Sequence, residues 1–263
     1  MLKKLLKYDL KNLYKVLVIF YILTIVFALI TRLVSSVNTT TISNIIFQIS
    51  SAITISMMVS IIINNLMRMW VRFVNNLYKD ESYLTHTLPV SRTKIYISKF
   101  LTSVITMLTS VVVIAIALFI AYYSKENIET LKYMMLPIAK MYDSTVLKII
   151  LTFVFIVFLE MLATLQAGFT GIIIGHRYNN NKIGLSVIFG FIAYMLGQML
   201  VLVLIFIVGI LNSDIMMLFE TNVMPNVETI KIILYLAIGV YSALTAIYYI
   251  VNKKLLSKGV NVE

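Results

Sequence analysis

The chain contains no cysteine, so no disulfide framework, thiolate nucleophile or Cys-ligated metal is available to it, and its redox compartment leaves no mark. Charge is scarce as well: Asp, Glu, Lys and Arg together make up 13% of the residues, against about 25% in an ordinary globular domain. Histidine occurs twice, as His86 and His176, both in polar segments. No His-Glu-x-x-His, Gly-x-Ser-x-Gly or glutamate pair within an apolar run occurs, which removes metalloprotease and serine-hydrolase chemistry and leaves no catalytic or metal-ligating residue to nominate. Nor is there a Gly-x-x-x-x-Gly-Lys-Ser/Thr, so nucleotide phosphates cannot be cradled in a P-loop here. No cofactor is expected on this chain, and energy from ATP would have to arrive through another polypeptide.

What the chain has in abundance is apolar surface. Hydrophobic residues reach 60%, arranged in runs of the length, about 20 residues, that crosses a hydrocarbon core of about 30 Å. The formal net charge of +11 does not indicate nucleic acid, because the Lys and Arg residues sit at the ends of apolar runs instead of forming one basic face. A multi-pass membrane protein in a lipid bilayer is the class that fits. Six spans are expected, at residues 16–34, 42–67, 100–122, 146–174, 183–211 and 230–251, in one transmembrane domain covering 1–263. The first run is long and has no small-residue cleavage pattern behind it, so it is expected to stay as an anchor.

Ahead of it, residues 1–15 place Leu2, Leu5, Leu6, Leu10, Leu13 and Tyr14 on one helical face and Lys4, Lys7, Lys11 and Lys15 on the other, the pattern of an amphipathic helix lying in the head-group layer. Asp9 falls inside the apolar stripe, where two roles are open to it, capping or pairing with an arginine of the next segment on the same side, and the sequence names no particular partner. Between the fifth and sixth spans an apolar island, 215–219, is too short to cross but long enough to dip into the bilayer edge.

Basic residues near the span ends set the orientation. Lys3, Lys4, Lys7, Lys11 and Lys15, the six between Arg68 and Lys99, Arg177 and Lys182, and Lys253, Lys254 and Lys258 share one side, 16 of the 22 Lys and Arg. Both termini and residues 68–99 are therefore expected in the cytoplasm of a plasma-membrane protein, with Trp70 at the inner interface.

Within the spans only Glu160 lies deep, where an ionised group costs at least about 2.5–3.5 kcal/mol. It shares a helical face with Thr164, Ala167, Gly171 and Gly175, a ladder of small residues that lets helices approach closely. It is thereby a candidate intramembrane polar site, either a proton or cation site or a structural hydrogen-bonding group. Gly190, Ala193 and Gly197 make a matching face on the fifth span, so the fourth and fifth spans are expected to pack through small residues, with Gln166 and Gln198 as interhelical glue.

The longest polar connection is RMWVRFVNNLYKDESYLTHTLPVSRTKIYISK, residues 68–99. Residues 76–88 set Leu77, Leu84 and Leu88 beside Lys79, Asp80 and Glu81, which suits a small docking helix with an apolar knob. Pro89 disfavours helical backbone at Leu88 and ends the element there. Arg92 and Lys99 are placed to hold the third span at head-group depth. The run KDESYLTHTLPVSRTKIYISKFL resembles the segment after the second span in membrane subunits of type 2 ABC exporters, the ABC-2 permease family. There a Glu opens a short cytoplasmic helix, leucines recur, Pro then Ser-Arg close it, and a Lys opens the third span. The matching positions are Glu81, Leu84 and Leu88, then Pro89, Ser91 and Arg92, then Lys99. Where many members carry Gly-Thr after the Glu, this chain has Ser82 and Tyr83.

The resemblance implies an all-α integral membrane protein with an interfacial amphipathic helix at the N-terminus, six transmembrane helices and a cytoplasmic coupling helix between the second and third spans. It implies half of an exporter's pathway, coupled to a separate ABC ATPase subunit that holds ATP and magnesium, and completed by a second permease chain of the same or similar kind. It also implies re-entrant helices before the sixth span. The cargo stays open between peptide antibiotic, toxin, drug, sugar polymer and ion. An ATP-independent secondary transporter or channel, and a non-transporting membrane scaffold, are the rival classes. The first would show inverted repeats and several intramembrane polar residues.

Overall fold

Long apolar stretches without helix breakers leave the backbone no partner but itself in lipid, and an α-helix satisfies every one of its amides internally. The computed structural model describes residues 1–37, 40–79, 81–141, 144–211, 216 and 227–259; these form helices joined by short connections, with no strand among them. The helices are α1 (Leu2–Ser36), α2 (Thr41–Leu77), α3 (Ser82–Thr87), α4 (Arg92–Tyr122), α5 (Lys125–Met141), α6 (Val146–Gly175), α7 (Lys182–Leu211) and α8 (Val227–Ser257). Six of them, α1, α2, α4, α6, α7 and α8, are long and apolar enough to cross a membrane. Apart from Met216, the island at 215–219 and the connection expected to hold re-entrant helices lie outside the described residues, as does Asp80.

The helices overrun the spans read from hydropathy. Residues 1–15 are not a separate helix but the first turns of α1, with Lys3, Lys4, Lys7, Lys11 and Lys15 exposed, the leucines partly covered, and Leu13 and Asp9 buried. Likewise the connection 68–99 is mostly helix: α2 runs on to Leu77 and α4 starts at Arg92, leaving α3 and two turns between them. Nothing from Arg68 to Leu77 breaks a helix, so the change from apolar to polar residues does not end it. Pro89 does act as read, since Leu88 has extended backbone (φ −65°, ψ 138°).

The chain forms two compact units, one of residues 1–76 and 80–129, the other of residues 77–79 and 130–263. In the first, α1 packs along α4. A polar seam crosses its helices: the Tyr21 hydroxyl meets Ser110 Oγ at 2.9 Å, and Asn65 donates to Ser110 Oγ at 2.8 Å and accepts from Thr106 at 3.1 Å. Thr31 and Thr54 Oγ1 meet at 2.9 Å.

The second unit is held by close approach. α6 packs against both α7 and α8. A Cβ placed on Gly171 would lie 2.2 Å from the Gly190 backbone nitrogen, and one on Gly175 would lie 2.4 Å from that of Ser186. Gly190 itself is less confined, since its Cβ would meet nothing closer than 3.7 Å. Ala193 is buried and its carbonyl accepts from the Tyr248 hydroxyl at 2.7 Å, beside Gly197. Gln166 and Thr170 on α6 clasp Asn252 on α8 through buried hydrogen bonds.

The asymmetry at the glycine contact gives a direct test. Gly171→Ala should force α6 and α7 apart and destabilise the protein by about 1–3 kcal/mol, the usual cost of overpacking. Gly190→Ala should leave the melting temperature of the detergent-purified protein unchanged.

Candidate functional site

In the first unit, the Asp9 side chain on α1 emerges among covered residues and is only 5% exposed. A carboxylate so removed from water must be compensated by donors, and the neighbouring helices supply them. Lys99 Nζ of α4 donates to Asp9 Oδ1 at 2.6 Å, Arg72 Nε of α2 donates to the same oxygen at 3.3 Å, and the Ser98 hydroxyl donates to Oδ2 at 3.4 Å. Of the two roles open to Asp9, pairing with an arginine of the next polar segment is thus the one it takes, and a lysine is a second partner.

The network then reaches α3. Arg72 Nη1 donates to both Glu81 carboxylate oxygens, at 2.6 and 2.7 Å. Asn76 bridges the two halves, its amide nitrogen donating to Glu81 Oε2 and its amide oxygen accepting from Lys99 Nζ. Two cations, two anions and one amide thereby tie together α1, α2, α4 and the residue that caps α3. Backbone contacts reinforce the join: the Glu81 amide donates to the Asn75 carbonyl at 3.2 Å, and the Glu81 carbonyl accepts from Thr85.

From this anchored base α3 turns its apolar side chains outward. Tyr83 is 76% exposed and Leu84 67%, with Leu88 also exposed. Two residues read as docking groups are placed otherwise. Leu77 belongs to the last turn of α2 and is wholly buried, because that helix continues past the apolar run, so it cannot meet a partner. Glu81 directs its carboxylate to Arg72 and Asn76, which makes it an anchor of α3. Lys99 needs correction as well. At 3% exposure it is a buried counter-ion, so it does not hold the third span at the head groups. Pro89 is exposed in the turn after α3, and Arg92 is exposed at the start of α4.

In the second unit, Tyr78 stacks at a tilt on His176, with ring centroids 4.1 Å apart. Burial pushes the Tyr78 phenol above its usual value, opposed by the Arg177 guanidinium, so it stays protonated at neutral pH. Glu160 is half-buried on α6, in electrostatic range of Tyr241, which hydrogen-bonds Gln198. Ala167, Gly171 and Gly175 on α6, with Gly190, Ala193 and Gly197 on α7, lie at the helix contacts described above. Among the described residues, no group of three or more His, Asp or Glu is placed to hold a metal ion.

The Asp9 cluster can be tested by removing charge. Asp9→Asn strands the Lys99 ammonium, and losing one member of a buried pair costs about 3–5 kcal/mol. Replacing both as Asp9→Asn with Lys99→Met should recover much of that loss, a non-additivity that thermal melts of the two singles and the double would measure. Compared with protein-family models, curated proteins and solved structures, the chain matches none.

Proposed function

We propose that this chain is the membrane subunit of an ATP-driven exporter of the ABC-2 permease type, residing in the plasma membrane with both termini in the cytoplasm. In this reading α3 is the coupling helix. It seats in a groove of a separate ATPase subunit, which holds ATP and magnesium, and a second permease chain completes the pathway. The observation that carries it is the join at Glu81: a six-residue helix too short to be stable alone is fastened by charge-assisted bonds to Arg72 and Asn76 of α2, and through them to the Asp9–Lys99 pair of α1 and α4, while presenting Tyr83, Leu84 and Leu88 outward. A solvated linker needs neither the fastening nor the apolar face. A docking element needs both, because apolar anchors supply affinity and a stiff base passes displacement to the spans.

Mechanically, ATP binding would draw two ATPase subunits together and carry the docked α3 helices with them. Through Glu81, Arg72 and Asn76 that displacement would reach α2, and through Asp9 and Lys99 it would reach α1 and α4. A secondary transporter would leave α3 without a ligand.

Two experiments test the proposal. Since the chain has no cysteine, Leu84→Cys introduces a single thiol. It should react with membrane-permeant maleimide and not with an impermeant one in intact cells; labelling from outside would refute the orientation. Leu84→Arg should abolish co-purification of a P-loop ATPase that accompanies the unaltered chain from its native host, with the melting temperature unchanged. Equal recovery of that ATPase with the variant would remove the docking claim.

A further inference from the structure

In the second unit, a cavity of about 260 Å³ opens between the first two turns of α6 and the second and third turns of α8. Its wall carries two lysines, Lys148 of α6 and Lys231 of α8, together with the hydroxyl residues Ser144, Thr152 and Tyr235 over an aliphatic patch that includes Ile149. No acidic side chain lines it among the described residues, and neither lysine has a carboxylate partner there. Among the described residues the Ser144 hydroxyl at its edge finds no hydrogen-bond partner, a cost that an acceptor oxygen would relieve. Two ammonium groups, the Ser144 and Tyr235 hydroxyls and the positive end of α6 make a site for an oxyanion.

Position and size narrow the ligand. Both lysines stand at the start of helices long and apolar enough to span a membrane, the level at which lipid head groups lie. The volume falls below the roughly 300–1,000 Å³ of pockets that enclose drug-sized ligands. A phosphate group fits with its acyl chains left outside on the apolar helix faces, where Leu147 and Leu151 are exposed. We propose that the cavity between the heads of α6 and α8 binds the phosphate of an anionic phospholipid, held by Lys148 and Lys231. This does not depend on the exporter reading, only on the chain lying in a bilayer.

Native mass spectrometry of the full chain in nonionic detergent tests it, with phosphatidylglycerol or phosphatidylcholine added and inorganic phosphate as competitor. Phosphatidylglycerol should be retained in preference to phosphatidylcholine, and excess inorganic phosphate should not displace it. Lys148→Gln and Lys231→Gln should each weaken retention roughly fivefold, and the double variant roughly 25-fold, from the usual contribution of a lysine beside an anionic head group. Lys148→Arg with Lys231→Arg should keep binding, while Lys125→Gln with Lys132→Gln, exposed lysines of α5, should not alter it. Unchanged retention by the Gln double variant, or equal retention of the zwitterionic lipid, would overturn the site. Displacement by inorganic phosphate would overturn the lipid as its ligand in favour of a free anion.

Discussion

A carboxylate on α1 and an ammonium on α4, both shielded from solvent and 2.6 Å apart, fix how the first unit is assembled. Taking either ion out of water alone would cost several kcal/mol, so neither Asp9 nor Lys99 tolerates a geometry in which the other is absent. Such a pair adds little to net stability compared with an apolar substitute, but it penalises wrong arrangements heavily. Sliding α1 one turn along α4 would leave two unpaired charges. The pair therefore acts as a registration device, and Arg72, Ser98 and Asn76 complete its coordination.

For α3 the consequence is leverage. A helix of six residues has too few internal hydrogen bonds to hold its own shape. Glu81 gives it the missing rigidity, with both carboxylate oxygens on Arg72 and one also on Asn76. Because Arg72 also contacts Asp9, and Asn76 also contacts Lys99, displacing α3 disturbs the charge balance of all three long helices at once. The exposed Tyr83 and Leu84 can then receive a force without absorbing it, as the proposed coupling requires.

The two units solve the same problem with different chemistry. Between helices in lipid, burial of apolar side chains gives almost no preference, since hydrocarbon surrounds them in either case. Register must come from polar bonds or from backbone shape. The first unit uses bonds, in the Tyr21, Asn65, Thr106 and Ser110 seam and in the ion cluster around Asp9. The second relies chiefly on shape, with Gly171 and Gly175 admitting the backbone of α7, and adds the Asn252 clasp to α8.

That difference also explains what could be read from the chain. Span number was legible because it depends only on run length and hydropathy. Helix ends were not, since α1 and α2 continue as helix beyond the lipid-suited residues, so the sequence pattern sets Leu77 beside Leu84 and Leu88 although it belongs to the core. Asp9 announced itself by breaking an apolar stripe and pointed to an arginine of the next segment, but only the contact of α1 with α2 singles out Arg72. Lys99 gave no such signal, because a lysine at the start of a span looks the same whether it reaches for the head groups or turns inward to a carboxylate. The Ser and Thr residues of α4 carry the information that the lysine lacks. In a soluble helix the buried face is the apolar one, but in a span apolar residues are favoured on both faces, so the inward face is marked by what lipid disfavours. On α4 those marks are Ser98, Thr102, Thr106 and Ser110, spaced four apart on one face, all buried, and Lys99 lies at the same end, directly beside the first of them.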